Sequence, residues 1–139
     1  MNNSPMIDAP PLSPILDPTL FNQAGNKQRW GNLYGCAPGL VIASAAVKAK
    51  KLTIVITNDT ASALKIEQEI RFFGTQLEVL HFPDWETLPY DNFSPHQDII
   101  SERLTTLHKL SQLKEGVLVV PVTTLMHKLL PNVYLQAHS

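Results

Sequence analysis

The sequence predicts an α/β fold: a three-layer domain with a mainly parallel sheet of about four strands and helices on both faces. Two observations carry that expectation. Residues 52–57 (Leu-Thr-Ile-Val-Ile-Thr) and 117–120 (Val-Leu-Val-Val) are short, β-branched and apolar on both faces, as strands are when helices cover each side. Between such runs, apolar residues recur at three- and four-residue steps, so strand and helix alternate along the chain.

The elements follow in order from Trp30. Residues 31–36 form a first, short strand candidate, followed by Pro38 and a small-residue helix over 39–50, where Ala43, Ala45, Ala46 and Ala49 permit close packing. Lys48, Lys50 and Lys51 gather at its end, where cations complement the helix dipole. The second strand is 52–57. Asn58, Asp59 and Thr60 then offer capping side chains to a helix whose inner face is Ala63, Ile66, Ile70 and Phe73, with Glu67 and Glu69 expected in water and Gly74 as its stop. Residues 77–82 are the third strand. Ser94-Pro95-His96-Gln97 combines an N-cap serine, a proline at the first helical position and a glutamine able to close a capping box, so a helix starts there. Ile100, Leu104, Leu107 and Leu113 give it an apolar stripe; Gly116 ends it before the fourth strand. Thr123 or Thr124 is expected to cap a last short helix carrying Leu125, Met126, Leu129 and Leu130, which Pro131 closes.

Length and composition bound the rest. A chain of 139 residues suits one domain. Apolar residues at 44% and charged residues at 17% match neither disorder nor a membrane span. With 11 basic and 12 acidic side chains there is no broad cationic field for nucleic acid, so any such contact is local. Cys36 has no disulfide partner, the five histidines show no zinc-type spacing, and no signal peptide opens the chain, which together point to the cytoplasm. Pro5, Pro10, Pro11, Pro14 and Pro18 make residues 1–28 an extended arm that either docks on the domain or floats free. The domain itself is expected over 29–131, with 132–139 opening a connection to a following domain.

In an open parallel sheet, loops at the carboxyl ends of the strands converge on the ligand crevice. The first of them has the outline of a phosphate-binding loop: strand, Gly35, short turn, Gly39, helix. A working loop of this kind reads G-x-x-x-x-G-K-[ST], because backbone N–H groups hold the phosphates, the lysine neutralises their charge and the hydroxyl holds magnesium. Counted from Gly35, those last three positions hold Leu40, Val41 and Ile42, so the chemical groups are missing and Pro38 removes a further donor. No catalytic residue, cofactor or metal site is expected. Residues 84–91 bring Asp84, Glu86 and Asp91 together with Trp85 and Tyr90. The aromatics are expected to plug the loop onto the domain, with the carboxylates solvated or capping turns; Trp85, Tyr90 and Phe93 are the candidate interface residues. Cys36 and His81 are conceivable as a nucleophile pair, but a free cysteine is more often a buried small hydrophobe, and packing is the expectation. His96, His108 and His127 are expected at the surface or core edge.

The run Asp84-Trp-Glu-Thr-Leu-Pro-Tyr-Asp-Asn-Phe-Ser-Pro-His-Gln-Asp-Ile-Ile-Ser101, continued by Arg103-Leu104, closely resembles the N-terminal region of the bacterial transcription-repair coupling factors (Mfd). The run Gly116-Val-Leu-Val-Val-Pro-Val-Thr-Thr-Leu-Met126 is similar to that family's next strand and helix. The resemblance implies a fold like the first domain of UvrB, a RecA-like scaffold with a degenerate phosphate loop. It further implies a module that serves recruitment of UvrA, while a separate C-terminal motor uses ATP to push stalled RNA polymerase off DNA. The family's main UvrA surface lies in the small domain that follows, so no UvrA-contact residue is carried onto this chain. Two other classes compete: a small Rossmann-like or P-loop nucleotide-binding domain, which would bind ATP and magnesium, and a DNA-binding module, whose affinity would fall steeply with salt.

Overall fold

The computed structural model describes residues 16–20, 25–84 and 97–126. Its elements run α1 (Ala37–Ala49), β1 (Leu52–Thr57), α2 (Thr60–Phe73), β2 (Val79–His81), α3 (Gln97–Gln112), β3 (Gly116–Pro121) and α4 (Val122–Leu125). The strands form one parallel sheet in the order β1-β3-β2, so the chain crosses from one edge to the other and returns to fill the middle. Leu52 to Thr57 align with Gly116 to Pro121, and Val79 to His81 with Val117 to Val119.

Helices cover the two faces unequally. Ala43 and Ala46 of α1 and Ala63 and Ile70 of α2 pack with Val79, Val117 and Val119 on one face. On the other, Leu107 and Leu110 of α3 and Leu113 beyond it meet Leu80, Phe82, Leu118 and Val120. Every residue of β3 is buried, which explains its unbroken apolar composition: it has a strand on each edge and a helical layer on each face. Small residues on α1 let it lie close to α2, as the alanine pattern predicts.

Several expectations change. Residues 31–36 are not a strand: Asn32 and Gly35 both take positive φ, 58° and 61°, which breaks an extended run, and Tyr34 is exposed. The sheet therefore has three strands among the described residues. β2 is shorter than 77–82. Gly116 is the first residue of β3 rather than a helix stop; its φ is 146°, and a Cβ there would stand 2.6 Å from the Glu78 carbonyl, so glycine is required. α4 is capped by neither threonine: its N-cap is Pro121, and Thr124 is buried within the helix. β1 is not covered on both faces, because Ile54 and Ile56 are 56% and 59% exposed. α3 meets β2 but stops short of that edge.

Other expectations hold. Asp59 caps α2, its carboxylate accepting from the Ser62 N–H at 2.7 Å, and that hydrogen bond lowers its pKa below the ordinary aspartate value. Of the proline-rich arm, residues 16–20 dock on α1: Pro18 is fully buried, and Lys48 pairs with Asp17 and donates to the Pro18 carbonyl at 3.0 Å. Lys48 thus anchors the arm besides standing in the last turn of α1. The capping sequence at 94–96, His127 and the end of the last expected helix at 127–131 lie outside the described residues.

Candidate functional site

The loop expected to have a phosphate-loop outline is a left-handed turn at Gly35 followed directly by α1, whose N-cap is Cys36. Cys36 makes no side-chain cap and is exposed, which overturns its expected burial; the turn that starts the helix leaves it outside the core. Backbone donors here are partly committed. Ala37 N–H donates to Tyr34 at 3.1 Å, Leu40 N–H donates to Cys36 at 3.2 Å, and Pro38 has none to give.

The positions of the motif's second glycine, lysine and hydroxyl, Leu40, Val41 and Ile42, turn toward packing. Val41 is buried in the core, Ile42 packs against the cluster under the sheet, and Leu40 is half-buried. Gly39 has a packing role. A Cβ on it would meet the Cβ of Glu69 at 2.2 Å, so glycine permits the close approach of α1 and α2. The Glu69 carboxylate lies in the same place, with Oε2 2.8 Å from that Cβ position. A negative charge thus lies against the first turn of α1, where an incoming phosphate would need donors.

Glu69 was expected in water, as was Glu67; both are half-buried. Glu69 packs beside Gly39 and reaches Lys65 at 4.0 Å. Glu67 accepts from Arg71 at 2.8 Å, and Arg71 also donates to the Val79 carbonyl at 2.6 Å, tying α2 to β2. His81 Nδ1 lies 3.2 Å from Glu67 Oε2 without meeting hydrogen-bond geometry. His81 therefore ends β2 as expected, but its ring faces Glu67, whereas Cys36 stands at the exposed start of α1. His108 is half-buried on α3 and contacts Gln112 at 3.1 Å, in keeping with a core-edge position.

Beside the loop runs an open groove of about 350 Å³. Ile42, Val55, Ile56 and Ile66 line it together with Thr57, Asn58, Ser62, Lys65 and Glu69.

The other carboxyl-end loops are joined to each other. Asp84 Oδ2 accepts from the Thr123 hydroxyl at 3.0 Å, linking the exit of β2 to the exit of β3. Arg103, 4% exposed, donates to the Pro83 carbonyl at 2.6 Å and sits 4.5 Å above the Phe82 ring. Burial pushes its pKa below the usual guanidinium value, and Asp84 opposes that push. The apolar stripe reading of α3 missed Arg103 and the buried Thr106, whose hydroxyl donates to the His81 carbonyl at 3.2 Å. The spacing held a signal: Arg103 follows Ile100 by three residues and precedes Leu107 by four, on the apolar side. Ile100 itself is 36% exposed. Trp85, Tyr90 and Phe93 lie outside the described residues.

Comparison with known proteins decides the lineage. The chain is 44% identical over 121 residues to the transcription-repair-coupling factor of Escherichia coli, covering 87% of this chain and 10% of that protein. It is 42% identical over 122 residues to that of Haemophilus influenzae, covering 88% and 11%, and 33% identical over 123 residues to that of Myxococcus xanthus, covering 83% and 10%. This stretch of chain belongs to the transcription-repair coupling factor family. It spans about a tenth of the length of the curated relatives it matches. No family model matches the chain. Among the described residues of this family member, no helix is long and apolar enough to cross a membrane.

Proposed function

We propose that residues 29–131 act as a non-catalytic, UvrB-like module that supports recruitment of UvrA to stalled RNA polymerase in transcription-coupled nucleotide-excision repair, in the cytoplasm. In this reading residues 1–28 are an arm, 132–139 lead to a following domain, and contacts to RNA polymerase and DNA belong to other parts of a longer polypeptide. Trp85, Tyr90 and Phe93 are proposed to contact a neighbouring part of that polypeptide.

The observation that carries it is the loop at Gly35. Val41 stands at the lysine position and is turned into the core, Leu40 and Ile42 stand at the second glycine and hydroxyl positions, and Glu69 presents a carboxylate to the same helix turn. Phosphoryl transfer depends on positioned cationic charge, which these residues do not supply. What remains useful is a rigid parallel sheet with loops braced by Arg103 and Asp84. Such a scaffold suits holding a neighbouring domain in place.

The test is reconstituted recruitment. Stalled RNA polymerase on immobilised DNA would be supplied with a polypeptide of the relatives' length, with or without residues 1–131, and the retained UvrA measured. Loss of UvrA retention with the polymerase still bound is the expected result. Unchanged retention would remove the proposal.

A further inference from the structure

Charge is unevenly placed along the chain. Residues 18–58 hold five of the 11 basic side chains, Lys27, Arg29, Lys48, Lys50 and Lys51, and none of the 12 acidic ones. A chain close to neutral as a whole therefore carries one locally cationic segment.

The fold gathers part of that segment at one end of α1. Lys48, in the last turn, donates to the Pro18 carbonyl at 3.0 Å. The next carbonyl, that of Thr19, accepts from the Gln28 side-chain amide at 2.9 Å, and the oxygen of that amide accepts from the Trp30 indole N–H at 2.9 Å. Helix, arm and the segment leading to the Gly35 turn are thus tied in series, and Lys27 and Arg29 flank the residue that makes the tie. Lys27, Arg29 and Trp30 are exposed. Beside the Asp17–Lys48 pair opens a hollow of about 360 Å³, lined by Leu16, Ala43, Val47 and Phe73.

We infer that this face docks an acidic polypeptide segment of a partner protein. An apolar side chain of the partner enters the hollow, and the carboxylates around it meet Lys27 and Arg29. Trp30 and Arg29 are the residue types that anchor protein interfaces, and the indole is already held by Gln28, so little ordering is left for binding to supply. Charge complementarity selects the partner, and the hollow selects its class. A nucleic-acid strand would match the cations but has no aliphatic side chain for an apolar hollow, and past α1 its phosphates would meet Glu78 and Glu115, which line a second hollow with Lys50. The inference rests on charge and the hollow, and does not depend on UvrA.

Fluorescence anisotropy tests it, with a polypeptide of the relatives' length and a labelled probe peptide of glutamates flanking one phenylalanine. Binding is expected with a dissociation constant of about 10–100 μM, weakening as salt rises. Replacing both Lys27→Glu and Arg29→Glu should weaken it about tenfold, and Val47→Asp by a similar factor, with thermal melts unchanged. Lys109→Glu makes the same charge change on α3, across the sheet, and should leave binding as it was. Absence of binding would overturn the inference, as would equal loss in the Lys109 variant or equal affinity for a peptide with glutamine in place of glutamate. Tighter binding of oligothymidylate that Arg29→Glu abolishes would make nucleic acid the occupant instead, and self-association abolished by Arg29→Glu would make it a second copy.

Discussion

Arg103 braces the exit of β2 by filling space beside Phe82 and satisfying the Pro83 carbonyl, so its removal leaves both a cavity and an unpaired acceptor. Arg103→Ala should lower unfolding free energy by about 3 kcal/mol, the range for losing a buried charged hydrogen bond with its packing. Denaturant titration reads this directly. Thr124 is the opposite case: its hydroxyl is buried without a partner among the described residues, so it bears a desolvation cost with no return. Thr124→Val should leave stability unchanged or raise it by about 1 kcal/mol, as a thermal melt would show. Asp59 adds a pH dependence. Its folded pKa is depressed, so the cap is fully present above the unfolded aspartate value and is lost as pH falls through the lower, folded one. Exchange at the first turn of α2 should quicken on acidification below that range, and Asp59→Asn, which keeps an acceptor, should remove that pH dependence. The cap was legible in the sequence because Asp59 stands directly before a periodic run; the role of Arg103 was not, because a charge on an apolar face reads as an interruption until the neighbouring carbonyl is located.

At the scale of elements, Gly39 controls how closely α1 and α2 approach. Gly39→Ala drives a Cβ into that of Glu69, and the expected cost is about 1–3 kcal/mol as the helices separate. Glu69→Ala should not rescue it, since alanine keeps the offending Cβ; a double-mutant cycle of the two stabilities would check this. The same pair shows what sequence could convey. The missing lysine and hydroxyl at Val41 and Ile42 are visible in the motif, but that Gly39 serves helix packing and that Glu69 lies against it depends on the angle between two helices. The strands at 52–57 and 116–121 and the helices α1 to α3 were legible from periodicity and turn residues. The strand expected at 31–36 was not real, because two positive-φ residues in a short run outweigh its apolar content.

For the whole molecule, chain order alone left open which strand lies in the middle, since β3 reaches the centre only by a return crossing. That order sets the crevice: the Gly35 loop and groove lie toward the open β1 side, and the braced Asp84 and Thr123 loops lie at the exits of β2 and β3. The proposed function makes this α/β scaffold a platform for protein contacts rather than a nucleotide site. Calorimetric titration of ATP with magnesium into the folded chain tests it most directly. The expected result is no saturable binding below about 1 mM; a dissociation constant near 1 μM or tighter, roughly 8 kcal/mol of affinity, would contradict it.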